Sequence, residues 1–136
     1  MIVHGSCVVI GGRAVLILGP SGSGKSTLAL ALMARGGSLV ADDRTLLDAE
    51  DGHLYADAPE TLRGMIEARG VGILAADAAG RSEVTVVVDL SSDEPERLPP
   101  RRERALLGVS LPLVQGPMRP HFDAVIVQFL LKGRAV

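Results

Sequence analysis

Ala14-Val15-Leu16-Ile17-Leu18-Gly19-Pro20-Ser21-Gly22-Ser23-Gly24-Lys25-Ser26-Thr27 joins an apolar run to a glycine-rich bend, and the bend opens a helix-forming stretch. Gly19 to Ser26 fits the pattern of two glycines with four residues between them followed by lysine and serine, the phosphate-binding loop that links a strand to a helix. The glycines let successive backbone N–H groups converge on a phosphate, and the helix N-terminus, from Lys25 through Thr27, adds partial positive charge at the same place. In such a loop the lysine reaches the β and γ phosphates and the serine hydroxyl holds Mg²⁺. An ordinary glycine-rich turn lacks this ordered strand, loop and helix. The fold expected around it is α/β.

Working outward, Ile2 to Ile10 is a second apolar run, and Gly11-Gly12-Arg13 joins it to Ala14 to Leu18 as a hairpin. Lys25 to Arg35 reads as a buried helix through Leu28, Leu30, Ala31, Leu32 and Ala34, with Gly36-Gly37 as its stop. Ser38 to Ala41 reads as a short parallel strand beside the loop-bearing strand, delivering Asp42 and Asp43 at its carboxyl edge. Thr45 to Ala49 and His53 to Ala56 flank Asp51-Gly52, which predicts a hairpin on the periphery. Pro59 to Ile66 reads as a short helix, and Glu67 to Gly72 as a shaped loop. Glu83 to Leu90 and Gly108 to Val114 read as strands, separated by a polar connection whose charges at 101 to 104 read as a solvated face. Periodicity leaves Pro120 to Lys132 open between helix and strand, with helix preferred.

The 136 residues predict a single domain, 1–136, in which 47% hydrophobic and 22% charged residues supply a core. Only Tyr55, Phe122 and Phe129 are aromatic, too few for a base-stacking surface, and a net charge of −2 provides no broad basic face, so nucleic-acid binding is not expected. A single cysteine, Cys7, reads as a small core residue and fits a reducing compartment. No apolar run is long enough to span a membrane and the start lacks a signal-peptide pattern, so a cytoplasmic location is expected.

Asp42 and Asp43 fit phosphoryl transfer, in which one carboxylate supports the metal and another accepts the proton of the attacking hydroxyl; a turn-forming Asp pair is the plain alternative. By pattern alone, His4 is more often a satisfied strand residue, Glu67 and Arg69 a surface ion pair, and Arg97 a solvent-facing side chain.

Val3-His4-Gly5, the phosphate loop, Leu39 to Arg44 and above all Glu67-Ala68-Arg69-Gly70-Val71-Gly72-Ile73 resemble the catalytic domain of HPr kinase/phosphorylase. The resemblance covers about His4 to Lys132, and the chain looks like the short α-proteobacterial form, which has no N-terminal domain. It implies a P-loop-containing kinase domain of the HPr kinase type with peripheral β-hairpins. It implies use of ATP and Mg²⁺ to phosphorylate a serine of an HPr-type phosphocarrier in control of carbon and nitrogen metabolism, with the reverse phosphorolysis left open. Carried over by motif, Lys25 is the loop lysine, Ser26 and Glu67 are assigned to magnesium with Asp42 in support, Asp43 is the acid/base residue, and His4 is the upstream active-site histidine. Arg97 matches an active-site arginine, and Glu67, Arg69, Gly70 and Gly72 form the signature loop. The counterpart of a basic segment, Leu113 to Arg119, departs in spacing and charge. Oligomeric state is open. The competing readings are a small-molecule P-loop kinase and a nucleotide-binding regulatory module that transfers no phosphate.

Overall fold

Two strands and a tight turn begin the chain in the computed structural model, which describes Met1–Val136. Strand β1 (Ile2–Ile10) runs antiparallel to β2 (Arg13–Leu18), and the turn at Gly11 and Gly12 takes positive φ at both residues, as a two-residue hairpin demands. Helix α1 (Lys25–Ala34) follows the phosphate loop. Then come β3 (Ser38–Ala41), β4 (Arg44–Glu50), β5 (His53–Asp57), a 3-10 turn at Glu60–Leu62, β6 (Met65–Ala68), β7 (Gly72–Ala75), β8 (Ser82–Asp89), β9 (Glu103–Leu106), β10 (Val109–Gln115) and α2 (Phe122–Lys132).

The main sheet runs β2-β1-β4-β5-β8-β10-β9, and β2 also pairs with β8 in parallel, so β1, β2, β8, β5 and β4 close into a ring. Alternation along the strands divides the core in two. Val15 and Ile17 of β2 join Val86 and Val88 of β8 on the face covered by Leu28 and Leu32 of α1 and Phe122, Ile126 and Leu130 of α2. Ala14 and Leu16 face the other way, among Cys7, Val40, Leu47, Leu54, Ala56, Val84 and Val87. Burial pushes the Cys7 thiol far up, so it packs as an apolar residue.

The expected α/β architecture is present, with several local corrections. Strand β3 pairs antiparallel with β1 and lies one strand away from β2; the parallel neighbour of the loop-bearing strand is β8. The β4–β5 hairpin is part of the main sheet, because β4 pairs with β1 and β5 with β8; the separate β6–β7 hairpin is the peripheral one. The helix expected over Pro59 to Ile66 is only the 3-10 turn, because Gly64 at φ 72 breaks it and Ile66 is drawn into the core as part of β6. The shaped loop at Glu67 to Gly72 is the tip of β6–β7, turned by Gly70 at φ 79 with Val71 N–H donating to the Ala68 carbonyl. The charge run is a solvated face only in part: Arg101 and Glu103 are exposed, while Arg102 forks onto Glu94 and Arg104 bonds Asp89. The closing segment is helical. No helix is long and apolar enough to cross a membrane.

Candidate active site

The phosphate loop leaves the end of β2 and returns as the first turn of α1. The first helical bond runs from Leu28 N–H to the Gly24 carbonyl, so the amides of Lys25, Ser26 and Thr27 have no intrahelical acceptor. Gly24 takes φ 102, and a Cβ there would stand 2.6 Å from Met118 Cγ; the loop is closed on that side by the segment before α2. Lys25 is buried and its Nζ donates to the Pro20 carbonyl at 2.9 Å, arching over the loop. The Ser23 hydroxyl is buried without a partner inside this loop. An orphaned donor beside three unpaired helix-start amides is the chemistry that a phosphate satisfies.

Asp42 and Asp43 occupy the break between β3 and β4, which lie in turn along one edge of β1. Asp43 sits at φ 65, the Arg44 amide turns back to the Asp42 carbonyl, and the Gly5 amide of β1 donates to the Asp43 carbonyl. This kink points the two carboxylates in different directions. Asp42 is 6% exposed and its Oδ1 accepts both the Ser26 hydroxyl at 2.8 Å and the Ser6 hydroxyl at 2.7 Å. Its Oδ2 accepts the Glu67 amide at 3.1 Å, so this one carboxylate ties together β1, the loop helix and the β6–β7 hairpin. The Asp43 side chain is 62% exposed and accepts a hydrogen bond from His4 Nε2–H at 2.8 Å.

The structure therefore brings together Lys25, Ser26, Asp42, Asp43, His4 and the backbone of Glu67. Arg69 and Gly70 lie at the exposed hairpin tip, with Gly72 opening β7. Arg97 is not brought to this cluster: it is exposed in the irregular segment before β9 and lines a groove of about 870 Å³ with Arg102, Arg119 and Phe129. Two participants carried no signal in the sequence. Ser6 is one apolar-strand serine among several, and only the pairing of β1 beside β3 puts it on Asp42. Asp89 ends β8 opposite Leu18, the last residue before the loop, and accepts bonds from Ser91, Ser92 and Arg104. Burial raises its carboxyl pKa, but Ser91 and the Arg104 guanidinium outweigh that and hold it below the usual carboxylate range.

The donor set fits magnesium. The Ser26 hydroxyl and the Asp42 carboxylate stand together at the loop, an all-oxygen pair of the kind such an ion takes along with water and phosphate oxygens.

A family model described as the HPr serine kinase C-terminal domain matches residues 1–128. The chain belongs to this family. HPr kinase family relatives named HPr kinase/phosphorylase include those of Geobacillus thermodenitrificans, 37% identical over 140 residues, and Geobacillus kaustophilus, 39% identical over 140 residues. Each alignment covers 93% of this chain and 45% of the relative, so the chain spans a little under half their length. The solved structure of the HPr(Ser) kinase/phosphatase from Coxiella burnetii superposes with a TM-score of 0.77 at 29% identity, covering 97% of this chain and 94% of that one.

Proposed function

We propose that this HPr kinase family domain transfers the γ-phosphoryl group of ATP to a serine of an HPr-type phosphocarrier protein. The observation that carries the reading is the division of labour between two adjacent carboxylates: Asp42 is buried on the loop serine, while Asp43 is exposed beside it and oriented by His4. Lys25 would counter the charge of the β and γ phosphates, and Ser26 with Asp42 would hold Mg²⁺, assisted by Glu67. Bound Mg²⁺ supplies neutralisation of charge on the phosphoryl group as it moves. Asp43 accepts the serine proton as the hydroxyl oxygen attacks, and the His4 ring keeps the carboxylate aimed outward at the acceptor. In phosphorolysis an oxygen of inorganic phosphate would attack the phosphoserine phosphorus to give pyrophosphate, and the same Asp43 would return a proton to the serine oxygen as the P–O bond to it breaks. Arg97, away from this cluster, is given no part in the forward reaction.

A small-molecule kinase is disfavoured because Asp43 opens to the surface rather than into an enclosed acceptor chamber. A non-transferring module has no use for an exposed acid held by a histidine. The test is incubation with γ-labelled ATP, Mg²⁺ and a purified HPr-type carrier. Label on a carrier serine is expected; ATP binding without any labelled carrier would defeat the reading.

A further inference from the structure

Alternation puts Ser6, Val8 and Ile10 on the side of β1 that faces α1, with Ile17 of β2 directly opposite Ser6. Val8 and Ile10 belong to the first core, and at Ser6 that apolar row ends in a hydroxyl, although the residue has no exposed surface. The backbone before it is fixed: the Gly5 amide donates to the Asp43 carbonyl at 3.0 Å, the Gly5 carbonyl accepts the Thr45 hydroxyl at 2.9 Å, and a Cβ at Gly5 would stand 2.7 Å from the Ile17 carbonyl oxygen. After it, Cys7 pairs with Leu16 of β2 and Ala41 of β3. Ser6 is thus a rigidly held donor, and its partner is Asp42. An ionised carboxylate only accepts hydrogen bonds, on about four lone-pair positions. Ser6 and Ser26 fill Oδ1, and the Glu67 amide takes one position on Oδ2. Because Asp42 accepts, Ser26 gives its proton to Oδ1 and keeps its own lone pairs for a cation. Ser26 belongs to α1 and Glu67 to the separate β6–β7 hairpin, whereas Ser6 lies in the same sheet as β3 and makes the one fully buried bond of the three.

We propose that Ser6 is a positioning residue for the cation beside the phosphate loop: its buried hydroxyl fixes the Asp42 carboxylate, which in turn orients the Ser26 hydroxyl so that its oxygen lone pairs serve Mg²⁺. The proposal rests on the kinase reading above and adds to its metal-holding apparatus a residue that touches neither substrate nor nucleotide. Outer partners of this kind orient the groups that hold a metal, and their loss costs about 10–100-fold in metal affinity or activity. Without the Ser6 hydroxyl, Oδ1 keeps a vacant lone pair in a buried place, and the carboxylate is free to turn about its Cβ–Cγ bond and share its remaining donors differently. Ser26 would then lose the fixed acceptor that sets its proton. Packing alone gives no reason for a hydroxyl here, since a valine would continue the row of Val8 and Ile10.

The experiment measures the affinity of a fluorescent ADP analogue, in EDTA and in Mg²⁺, for wild type, Ser6→Ala, Ser6→Val and Ser6→Thr. The ratio of the two dissociation constants is the coupling between cation and nucleotide. Melting temperatures check folding, and Ser6→Val and Ser6→Thr have nearly the same shape, so the difference between them isolates the hydroxyl. Coupling should fall about tenfold in Ser6→Ala and Ser6→Val and stay within about threefold of wild type in Ser6→Thr, while affinity in EDTA changes less than about twofold throughout. In transfer assays the Mg²⁺ concentration giving half the maximal rate should rise by a similar factor in Ser6→Ala. Coupling within twofold of wild type in folded Ser6→Ala, equal losses in Ser6→Val and Ser6→Thr, or a wild type without coupling would each overturn the proposal. The readout is binding, so a wild type that couples Mg²⁺ to nucleotide and labels no carrier defeats the kinase reading alone, and the ratios still decide the role of Ser6.

Discussion

Asp42 and Asp43 are neighbours in sequence with opposite surroundings, and this difference decides what each can do. Asp42 accepts three protein donors and is almost wholly buried, so replacing it leaves two hydroxyls and an amide without their acceptor. Asp43 has one bond and faces water. Asp42→Asn therefore turns one amide N–H₂ toward donors and should lower stability by about 1–3 kcal/mol as well as reducing transfer. Asp43→Asn should leave the melting temperature nearly unchanged and reduce kcat by about 10²–10⁴-fold with little change in nucleotide affinity. Thermal melts and nucleotide binding on both variants, set beside transfer rates, check the split; a folded, fully active Asp43→Asn would reverse the assignment.

At the scale of elements, the site is a meeting of strand ends, and Asp89 shows how much of it is held from the side. Its main chain is paired with Leu18 and its carbonyl accepts the Gly116 amide, so β2, β8 and the segment carrying Met118 against Gly24 converge there. Because the native carboxyl lies below its unfolded value near 3.9, its contribution is complete above that value and is lost as pH falls through the native pKa. Asp89→Asn should cost about 1–3 kcal/mol near neutral pH and flatten the loss of stability below about pH 4, as read from urea unfolding at several pH values. The phosphate loop was legible in sequence because all its chemistry is contiguous, from the apolar run of β2 to Ser26. The acid pair was legible in kind but misplaced in topology, since four residues of β3 cannot declare which strand they pair with. Ser6, Asp89 and Arg104 were illegible because their roles come only from long-range pairing. The β6–β7 hairpin was hidden by Pro59 and Glu60, which favour a helical start that Gly64 then ends.

For the whole molecule, closure of the ring joins the acid-bearing strands to the loop-bearing strand. β4 and β5 complete the path from β1 to β8, and Leu54 of β5 is fully buried between Leu47, Leu16 and Val84 in the second core. Leu54→Ala should cost about 2–5 kcal/mol in denaturant unfolding, the range for a buried leucine leaving a cavity, although it lies outside the reacting cluster. A cost below about 1 kcal/mol would mean that the ring is not a packed core.

The central claim is that the loop, the acid pair and the acceptor belong to one phosphoryl-transfer centre. Its most direct measurement is the site and rate of label transfer from γ-labelled ATP, with Mg²⁺, to an HPr-type carrier, in wild type and Lys25→Ala with folding verified by circular dichroism. Phosphate on a carrier serine in wild type, and its loss by at least about a hundredfold in the folded Lys25→Ala protein, is the expected result. Equal transfer by both proteins would contradict the claim.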